Sequence, residues 1–398
     1  MTSPIVGDSA GAGNAPLAIL HCHSTFSLGG KEARACRLMN AFGDAARHTI
    51  LSAVPDALQA RDAIDPSINV AFPGEEGAPS LRGKPSAGRY RQLARYMRQF
   101  DLVLTYNWGA MDAVGARRLF RRDGPPLIHH EDGFNADEGR RRTWKRDLYR
   151  RLMLPTVHRL IVPSHTLERL ARARWGTDLP LRRISNGIDV ARYAGHGDAA
   201  VLPGFVRSPD DVVVGTIAGL RAVKDLPLLV RTLALTPPNV RLVIAGDGPE
   251  RATIEAEAAR CGVSDRVHMA GFIADPSRIA PLFDIMALSS LSEQQPISVM
   301  EGMAAGLPVV APPVGDVADM VATANAPFIV ERTETALAAA LTQLAQDPAL
   351  RQAVGAENRA LASREYDEAA MIAAYRATYA EAMGILPSRL DPGLRREE

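Results

Sequence analysis

The chain has 398 residues, carries a formal net charge of +1 at neutral pH, and is 46% hydrophobic. This apolar content is enough to build folded cores and excludes a disordered chain, while the length suits two domains. The balanced charge and the 5% aromatic content give no basis for nucleic-acid binding, so no nucleic-acid partner is expected.

Cysteine spacing and hydropathy indicate the cellular compartment in which the protein is expected. The three cysteines, Cys22, Cys36 and Cys261, lack C-x-x-C spacing, which disfavours a disulfide framework and a structural zinc site. No apolar run approaches the roughly 20 residues of a membrane-spanning helix. Because no lysine or arginine precedes Lys31, the N-terminus does not resemble a signal peptide. We expect a cytoplasmic protein, with peripheral attachment to the inner face of the membrane left open.

Strands and helices alternate along the chain after a tail, residues 1–15, that is predicted to be disordered. The strands predicted in the first half are Leu17–His21, Thr49–Ala53, Asp101–Tyr106, Pro126–His130 and Arg159–Val162. Those predicted in the second half are Val212–Ala218, Arg241–Ala245, Val267–Ala270, Asp284–Ser289 and Pro308–Ala311. Such continuous apolar runs are typical of parallel sheets that helices cover on both faces.

The alternation predicts an α/β protein with two doubly wound parallel-sheet domains and an interdomain cleft. The predicted boundaries are 16–193 for the N-terminal domain, 194–210 for a linker and 211–365 for the C-terminal domain. A terminal helix with its tail, 366–398, is predicted to pack back on the N-terminal domain. Ligands of parallel sheets bind outside the carboxyl ends of the strands, so candidate site residues should follow strands.

The segment from Ser290 to Val310 carries the strongest site signal. A polar loop with Glu293 follows a buried strand, and a helix predicted from about Pro296 to Ala305 then carries Ile297 and Ser298 in its first turn. The free N–H groups and the dipole of a helix start suit an anion such as a diphosphate. Glu301 shares a helix face with Ser298 and could accept hydrogen bonds from a ribose, while Glu293 could hold hydroxyls at the other end of the ligand. The alternative is that both glutamates are solvated surface charges.

The spacing of Glu293 and Glu301, within S-E-x-x-P-x-S-x-x-E, resembles that of the retaining glycosyltransferases of family 4, which have the GT-B architecture of two Rossmann-like domains. Four more segments resemble that family in the same order: Gly29–Glu32, Val162–Ser164, Ser185–Asp189 and Val243–Glu250. The resemblance implies transfer of a sugar from a nucleotide-sugar donor, UDP- or GDP-linked, to a glycan or lipid-linked acceptor. Polysaccharide, exopolysaccharide or glycolipid biosynthesis is the setting that it implies.

Further donor-binding residues are carried over from the resemblance. Lys224 matches the lysine of the family pattern R-L-x-x-x-K, and Arg221 is a shifted substitute for its arginine, because Gly219 occupies the matching position. Fixed cations at this place would stabilise the charge that develops on a leaving diphosphate. The glycines of the family loops are predicted to let the backbone approach the donor closely; they are Gly29, Gly30, Gly246 and Gly248.

Two residues at the end of the fourth predicted strand compete for the place that faces the reacting sugar. Alignment on Gly133 selects Asp132, whereas alignment on the strand selects His130, and the choice stays open. Either would orient the acceptor or shield an oxocarbenium-like centre, since the family's proposed front-face route needs no enzyme nucleophile. The alternative is a polar turn with one buried, hydrogen-bonded histidine.

No metal and no cofactor beyond the donor are expected. The chain contains no Asp-x-Asp pattern, by which many other glycosyltransferases hold a divalent ion on the diphosphate. His21 and His23 flank Cys22, but no further ligand follows at metal-site spacing. Fixed cations in place of a metal therefore fit the sequence better.

A basic segment, Arg140–Arg151, is predicted to form a helix that lies on an anionic membrane surface. Between residues 139 and 151 there are seven basic residues and one acidic residue, and Trp144, Leu148 and Leu152 follow at helical spacing. A second basic stretch, Arg89–Arg98, belongs to the same domain. The alternative is that the apolar stripe packs on the domain's own sheet and the arginines are solvated.

Three other functions compete with the transferase. A nucleotide-sugar epimerase can share the two-domain architecture, and a catalytically silent binding subunit is poorly excluded by sequence. A dinucleotide-dependent oxidoreductase fits worst, because no G-x-G-x-x-G follows the first strand.

Overall fold

The computed structural model describes residues 15–27, 29–84, 86–120, 124–133 and 144–393. Within these residues the chain divides into two compact units. The first unit takes the chain up to Val162, then Arg169–Arg183, and everything from Ile372 onwards. The second unit consists of Pro163–Glu168 and Ile184–Met371. Of the predicted disordered tail, all but Ala15 lies outside the described residues.

The first unit is built on a seven-stranded sheet in which every described pairing is parallel. Its strands are β1 Leu17–His23, β2 Ala46–Ser52, β3 Val70–Ala71, β4 Leu102–Tyr106, β5 Leu127–His130, β6 Arg159–Val162 and β7 Leu181–Arg183. They lie in the order β3-β2-β1-β4-β5-β6-β7. The strand order reverses between β1 and β4, and a crevice for ligands is expected outside the carboxyl ends of these two strands.

The second unit is built on a five-stranded sheet with the order β10-β9-β8-β11-β12, again parallel throughout. Its strands are β8 Val212–Ile217, β9 Val240–Ala245, β10 Val267–Gly271, β11 Ile285–Ala287 and β12 Val309–Val310. Here the order reverses between β8 and β11, which makes the loops that follow these two strands the expected ligand site.

Helices connect the strands in both units. The longer helices are α1 Gly30–Phe42, α2 Ala87–Met97, α3 Met111–Leu119, α4 Trp144–Met153, α5 His165–Trp175, α6 Leu226–Ala234, α7 Arg251–Arg260, α8 Ile297–Ala304, α9 Glu334–Gln346, α10 Pro348–Glu365 and α11 Glu368–Met383. Several begin at side chains that accept a backbone hydrogen bond, as Ser86, Thr333 and Asp347 do for α2, α9 and α10.

The sheet of the second unit is buried on both faces. Neighbouring residues of β8 belong to two different apolar clusters, because side chains of a strand alternate between its faces. Val213 packs in one cluster with Met300 and Met303 of α8, while Val212 and Val214 pack in the other. This arrangement explains the continuous apolar runs in the sequence. The predicted fold class, two Rossmann-like parallel-sheet domains, is confirmed.

The division between the units does not coincide with the predicted linker 194–210. Residues from Ile184 onwards are counted with the second unit, and Ile188, Val190 and Tyr193 are buried in its core. Leu202, inside the predicted linker, is buried in the same cluster. The small polar run that suggested a hinge is therefore flanked on both sides by core residues of one unit.

The C-terminal end of α11 contributes to the core of the first unit. Tyr375 and Tyr379 are fully buried there, and the ring of Tyr379 lies edge-on to Phe42 of α1. Arg34 of α1 places its guanidinium 5.5 Å from the ring centre of Tyr375. The described part of the chain from Ile372 onwards is thus integral to this unit.

Candidate functional site

Lys224 and Glu293 meet at the switch point of the second sheet. The loop after β8 carries Lys224 and the loop after β11 carries Glu293. The ammonium of Lys224 lies 2.5 Å from Oε1 of Glu293, and the hydroxyl of Ser290 donates to the same oxygen at 2.6 Å. Both side chains of the ion pair keep partial exposure, 16% for Lys224 and 11% for Glu293. The pair therefore joins two predicted site residues that are 69 positions apart in the chain.

Backbone contacts fix the two loops against each other. The hydroxyl of Ser289 donates to the carbonyl of Lys224 at 2.9 Å, and the N–H of Leu291 donates to the carbonyl of Val223 at 2.8 Å. The lysine and the glutamate are thus held by short, hydrogen-bonded loops on a rigid sheet. Arg221 is exposed on the first of these loops.

Gly246 and Gly248 contact the loop that follows β8. Gly246 has φ +149° and Gly248 has φ +152°, values that residues with a Cβ rarely adopt. A Cβ on Gly246 would lie 1.8 Å from the carbonyl oxygen of Ala218, and one on Gly248 would lie 2.5 Å from that of Leu220. The two glycines predicted to bind donor therefore have a packing reason of their own, namely the close approach of two loops.

Helix α8 begins directly after the Glu293 loop and places Glu301 on its second turn. Pro296 is the N-cap, in extended conformation and without a side-chain cap, and Ile297 and Ser298 are half-buried behind it. Glu301 is 7% exposed, and its Oε1 accepts a hydrogen bond from the hydroxyl of Tyr193 at 3.1 Å. Sequence reasoning missed Tyr193, because nothing in the sequence connects two residues 108 positions apart.

Two side chains that the sequence did not single out hold the Glu293 loop in place. Gln295 accepts from the N–H of Asn186 at 2.7 Å and donates to the hydroxyl of Ser185 at 2.9 Å. Asp316, whose N–H donates to the carbonyl of Gln294, accepts from two N–H groups at the start of α5, those of His165 and Thr166. Ser185 and Asn186 belong to the segment Ser185–Asp189, which resembles the family pattern. His165 and Thr166 directly follow the other such segment, Val162–Ser164.

In the first unit, Asp132 forms an ion pair just beyond the end of β5. Nη1 of Arg34 lies 2.6 Å from Oδ1 of Asp132, and Nη2 donates to Oδ2 at 2.8 Å, a bidentate arrangement. The N–H of Asp132 also donates to the side-chain oxygen of Asn107 at 2.7 Å. Burial would raise the pKa of Asp132, but the adjacent Arg34 outweighs it and lowers that pKa below its ordinary value. The carboxylate is therefore ionised.

His130 is enclosed by aromatic rings and is 1% exposed. Its ring stacks on Tyr106 at 4.6 Å between ring centres, and its Nε2 lies 3.0 Å from the hydroxyl of Tyr379. Burial lowers the pKa of His130 to about 3, with the charge of Arg34 adding to the effect, so the ring is neutral. The alignment on the strand selected His130 as the residue that faces the reacting sugar, but its side chain is buried in the core. Asp132, two residues later, is the one that keeps partial exposure.

Gly29 and Gly30 lie exposed at the start of α1. The carboxylate of Glu32 occupies the space beside them, with Oε2 3.0 Å from where a Cβ on Gly29 would lie. Lys31 forms an ion pair with Glu32. Burial raises the pKa of Glu32, and the neighbouring Lys31 only partly offsets this. An anion approaching this helix start would meet the Glu32 carboxyl group first.

The predicted site residues thus fall into two groups. Lys224 and Glu293 are in direct contact, and the start of α8 follows them in the chain. Asp132 and Gly29–Gly30 belong to the first unit. Within the described ranges, no group of three or more His, Cys, Asp or Glu side chains is arranged to hold a metal ion. Among the same residues, no helix combines the length and the apolar character needed to cross a membrane.

The models of two protein families match the chain. The description "Glycosyltransferase Family 4" matches residues 28–192, and "Glycosyl transferases group 1" matches residues 204–361. The second match contains Lys224, Glu293 and Glu301, and the first contains Asp132.

Curated relatives align over part of their length. The N-acetyl-alpha-D-glucosaminyl L-malate synthase of Bacillus anthracis is 23% identical over 225 residues, which cover 56% of this chain and 57% of the relative. The 2-deoxystreptamine glucosyltransferase of Streptomyces kanamyceticus is 30% identical over 139 residues, 34% of this chain and 36% of the relative. The chain therefore spans less than two thirds of the length of both curated relatives.

The fold has counterparts among solved structures. The Anabaena protein HepE, crystallised with UDP and also with UDP-glucose, superposes with a TM-score of 0.74 at 19% identity. The superposition covers 92% of this chain and 100% of HepE. At this identity the likeness establishes the fold alone.

Proposed function

This chain belongs to the glycosyltransferases of family 4, and on that premise we propose that it transfers a sugar from a nucleoside diphosphate donor to a glycan or lipid-linked acceptor with retention of anomeric configuration. The observation that carries the proposal is the contact between Lys224 and Glu293 at the switch point of the second sheet. A cation and a helix start at such a point suit the diphosphate of a ligand, and the carboxylate suits its sugar.

In the proposed complex, the diphosphate binds the ammonium of Lys224. In the structure, Glu293 neutralises that ammonium. Phosphate oxygens that bind there would replace the carboxylate as the counter-ion of Lys224, in a partly buried position. The Glu293 carboxylate, still held by Ser290, then accepts hydrogen bonds from sugar hydroxyls. The N–H groups at the start of α8 and the exposed Arg221 add further positive potential for the diphosphate.

Glu301 is assigned to the ribose of the donor. Its carboxylate lies one helical turn beyond Ser298 and already accepts a hydrogen bond from Tyr193. A carboxylate can accept several hydrogen bonds, so the contact with Tyr193 leaves capacity for a diol. Burial makes these bonds stronger than they would be in water.

The proposed chemical step needs no nucleophile from the protein. The bond between the anomeric carbon and the diphosphate oxygen breaks, and the acceptor oxygen bonds to the same face of that carbon. The acceptor's proton goes to the departing diphosphate, so charge and atoms balance within donor and acceptor. Lys224 and the start of α8 stabilise the negative charge on the diphosphate as it leaves.

Asp132 is assigned to the acceptor side in preference to His130. Its ionised carboxylate can accept a hydrogen bond from an acceptor hydroxyl. Arg34 fixes its orientation through two hydrogen bonds. His130, enclosed among tyrosines, instead supports the strand end from within the core.

UDP-linked sugars are the first donors to test, because HepE is crystallised with UDP and with UDP-glucose. GDP-linked sugars are the second group. Polysaccharide, exopolysaccharide or glycolipid synthesis is the proposed setting, at the cytoplasmic face of a membrane. Fixed cations take the place of a divalent ion in this proposal.

The proposal is tested by incubating the full chain with a panel of nucleotide sugars, with and without candidate acceptors, and measuring nucleotide release. We expect acceptor-dependent release that chelator leaves intact, with NMR showing that the product keeps the anomeric configuration of the donor. A chain that converts the donor sugar without net nucleotide release is an epimerase. A chain that binds nucleotide but never turns over is a silent binding subunit. Either result overturns the proposal.

A further inference from the structure

Helix α4, Trp144–Met153, directs its buried charged side chains towards the rest of the first unit. Asp147 is 9% exposed and accepts a hydrogen bond from the indole N–H of Trp175 at 3.0 Å. Arg150 is 1% exposed, and its Nε donates at 3.0 Å to Oε2 of Glu131, which is fully buried. Buried charges are tolerated when they are paired in this way, so these contacts anchor the inner face of the helix.

The outer face of α4 is apolar and exposed. Trp144, Leu148 and Leu152 are 65%, 47% and 48% exposed and follow one another at i, i+4 and i+8, which places them in one stripe. Arg118 at the end of α3 donates to the carbonyl of Leu152, and its neighbour Leu119 is 59% exposed. Most helices of soluble proteins bury the apolar stripe and expose the charges. In α4 the apolar stripe is exposed while Asp147 and Arg150 are buried, which contradicts the alternative that this stripe packs on the sheet.

Basic side chains border the apolar stripe. Lys145 and Arg151 on α4 are exposed, and the ammonium of Lys145 lies 5.7 Å from the ring centre of Trp144. The one acidic residue of α4, Asp147, is buried and does not offset these charges at the surface. The first part of the predicted basic helix, residues 140–143, lies outside the described residues.

We propose that the outer face of α4, defined by Trp144, Leu148 and Leu152 with Lys145 and Arg151 at its border, docks on an anionic lipid surface. Apolar side chains with basic residues beside them are what an interfacial helix presents to the boundary between headgroups and acyl chains. A second copy of the chain fits less well, because a two-fold pairing would bring the same cations of both copies together. The exposed cations Lys145 and Arg151 at the border of the stripe favour an anionic partner.

This docking deepens the proposed function, and rests on it, in one respect: it would keep the enzyme at the surface where a lipid-linked acceptor is held. The binding step itself does not require catalysis. Vesicle binding and donor binding can therefore be measured separately on the same full-length protein.

The test is co-sedimentation of the full chain with vesicles of phosphatidylcholine alone and with vesicles that also contain phosphatidylglycerol. We expect binding to the anionic vesicles only, weakened by added salt. The double variant Leu148→Ser and Leu152→Ser should bind roughly tenfold more weakly, because the apolar contact is lost. The double variant Lys145→Glu and Arg151→Glu should lose the preference for anionic vesicles.

Leu235→Ser is the matched control, since Leu235 is 54% exposed on the second unit and should not affect vesicle binding. All variants are also titrated with UDP in solution, where an affinity equal to that of the unaltered chain shows that the fold is intact. Equal binding to neutral and anionic vesicles, or unchanged binding by the leucine variant, would overturn the inference. A concentration-dependent dimer that the leucine variant abolishes would overturn it as well. Absent binding of both UDP and GDP by the unaltered chain would count against the proposed function instead.

Discussion

Lys224 and Glu293 form an ion pair that we propose to bind two parts of one ligand. In the structure each neutralises the other, at 2.5 Å, within a place that solvent reaches only in part. A diphosphate would compete for the ammonium and leave the carboxylate to the sugar hydroxyls. Because the pair lies in loops beyond the strand ends and not in the core, removal of the lysine should affect donor binding more than the fold.

Replacing Lys224 by methionine tests this directly. The Lys224→Met variant should bind a nucleoside diphosphate about tenfold to a hundredfold more weakly, since a charge-assisted hydrogen bond to phosphate is lost. Calorimetric titration with UDP measures the effect. Arg251→Met is a suitable control, because Arg251 pairs with Glu255 on the surface of α7 and should leave the affinity unchanged. An equal affinity of Lys224→Met and the unaltered chain would remove Lys224 from the donor site.

Tyr193 is expected to position Glu301 for the ribose. The Tyr193→Phe variant loses the hydrogen bond to Oε1 of Glu301 and should bind UDP about threefold to tenfold more weakly. A UDP analogue without the 2′ and 3′ hydroxyls should bind the variant and the unaltered chain equally, because it makes no contact with Glu301. Both affinities are measured by calorimetry.

The control for this variant is Tyr366→Phe, in which another buried tyrosine hydroxyl of the same unit loses its bond to the carbonyl of Met320. It should leave the affinity for UDP unchanged. If Tyr193→Phe weakens UDP and the analogue alike, Tyr193 has a merely structural part and the positioning role is wrong.

At the scale of residues, the sequence predicted those site residues that stand in a local motif. Glu293 and Glu301 were proposed from their spacing around a strand end and a helix start, and Lys224 from its match to the family pattern. Gln295 and Asp316 did not follow, because their partners, Asn186 and His165, come from distant parts of the chain. His130 and Asp132 could not be separated, since two positions along a strand end decide whether a side chain enters the core or reaches the surface.

At the scale of elements, the loop between β9 and α7 depends on glycine where it meets the loop that carries Lys224. The Gly248→Ala variant should lower the free energy of unfolding of the second unit by about 2 kcal/mol or more, because alanine is strained at φ +152° and its Cβ would lie 2.5 Å from the Leu220 carbonyl. Chemical denaturation measures the change.

Gly195→Ala is the matched control for this loop. Gly195 has no atom within 4 Å of an added Cβ, so the substitution should leave the unfolding free energy nearly unchanged. A Gly248→Ala variant as stable as Gly195→Ala would show that the two loops can separate at little cost. The packing reason given for Gly248 would then be wrong.

Ten strands of the two sheets were predictable, whereas the two edge strands of the first sheet were not. The ten predicted strands are all present, nine of them with shifted ends, because most are apolar runs in a sheet that helices cover. The sequence missed β3 and β7, which are two and three residues long and partly exposed. Such short edge strands have no periodicity that could distinguish them from loops.

At the scale of the molecule, buried neutral histidines should make stability depend on pH. Burial lowers the pKa of His48 to about 4 and that of His130 to about 3. In the unfolded chain both histidines take up protons near their ordinary pKa of about 6.5. Protonation therefore favours the unfolded chain, and stability falls as the pH drops below that value. At about pH 5, proton uptake by each unfolded histidine should lower the free energy of unfolding by about 2 kcal/mol relative to neutral pH.

The measurement is chemical denaturation at a series of pH values between about 7 and 5. The His48→Gln variant should show a flatter pH dependence, because it removes one group that binds a proton only on unfolding. The exposed His196 gives the control His196→Gln, whose profile should follow that of the unaltered chain. Stability that stays constant over this pH range would contradict the burial of neutral histidines.

The two-unit architecture followed from the alternation of strands and helices, but the division between the units did not. The run Ala194–Ala199 has the composition of a linker, yet core residues Tyr193 and Leu202 flank it within one unit. Composition reports local flexibility, whereas membership of a unit depends on contacts between distant parts of the chain.

The most direct test of the donor site is a crystal structure of the full chain with a bound nucleoside diphosphate sugar. The account predicts phosphate oxygens within hydrogen-bonding distance of Nζ of Lys224, with Glu293 turned to the sugar and Glu301 on the ribose. A nucleotide bound at Gly29–Gly30, or anywhere away from Lys224 and the start of α8, would contradict it.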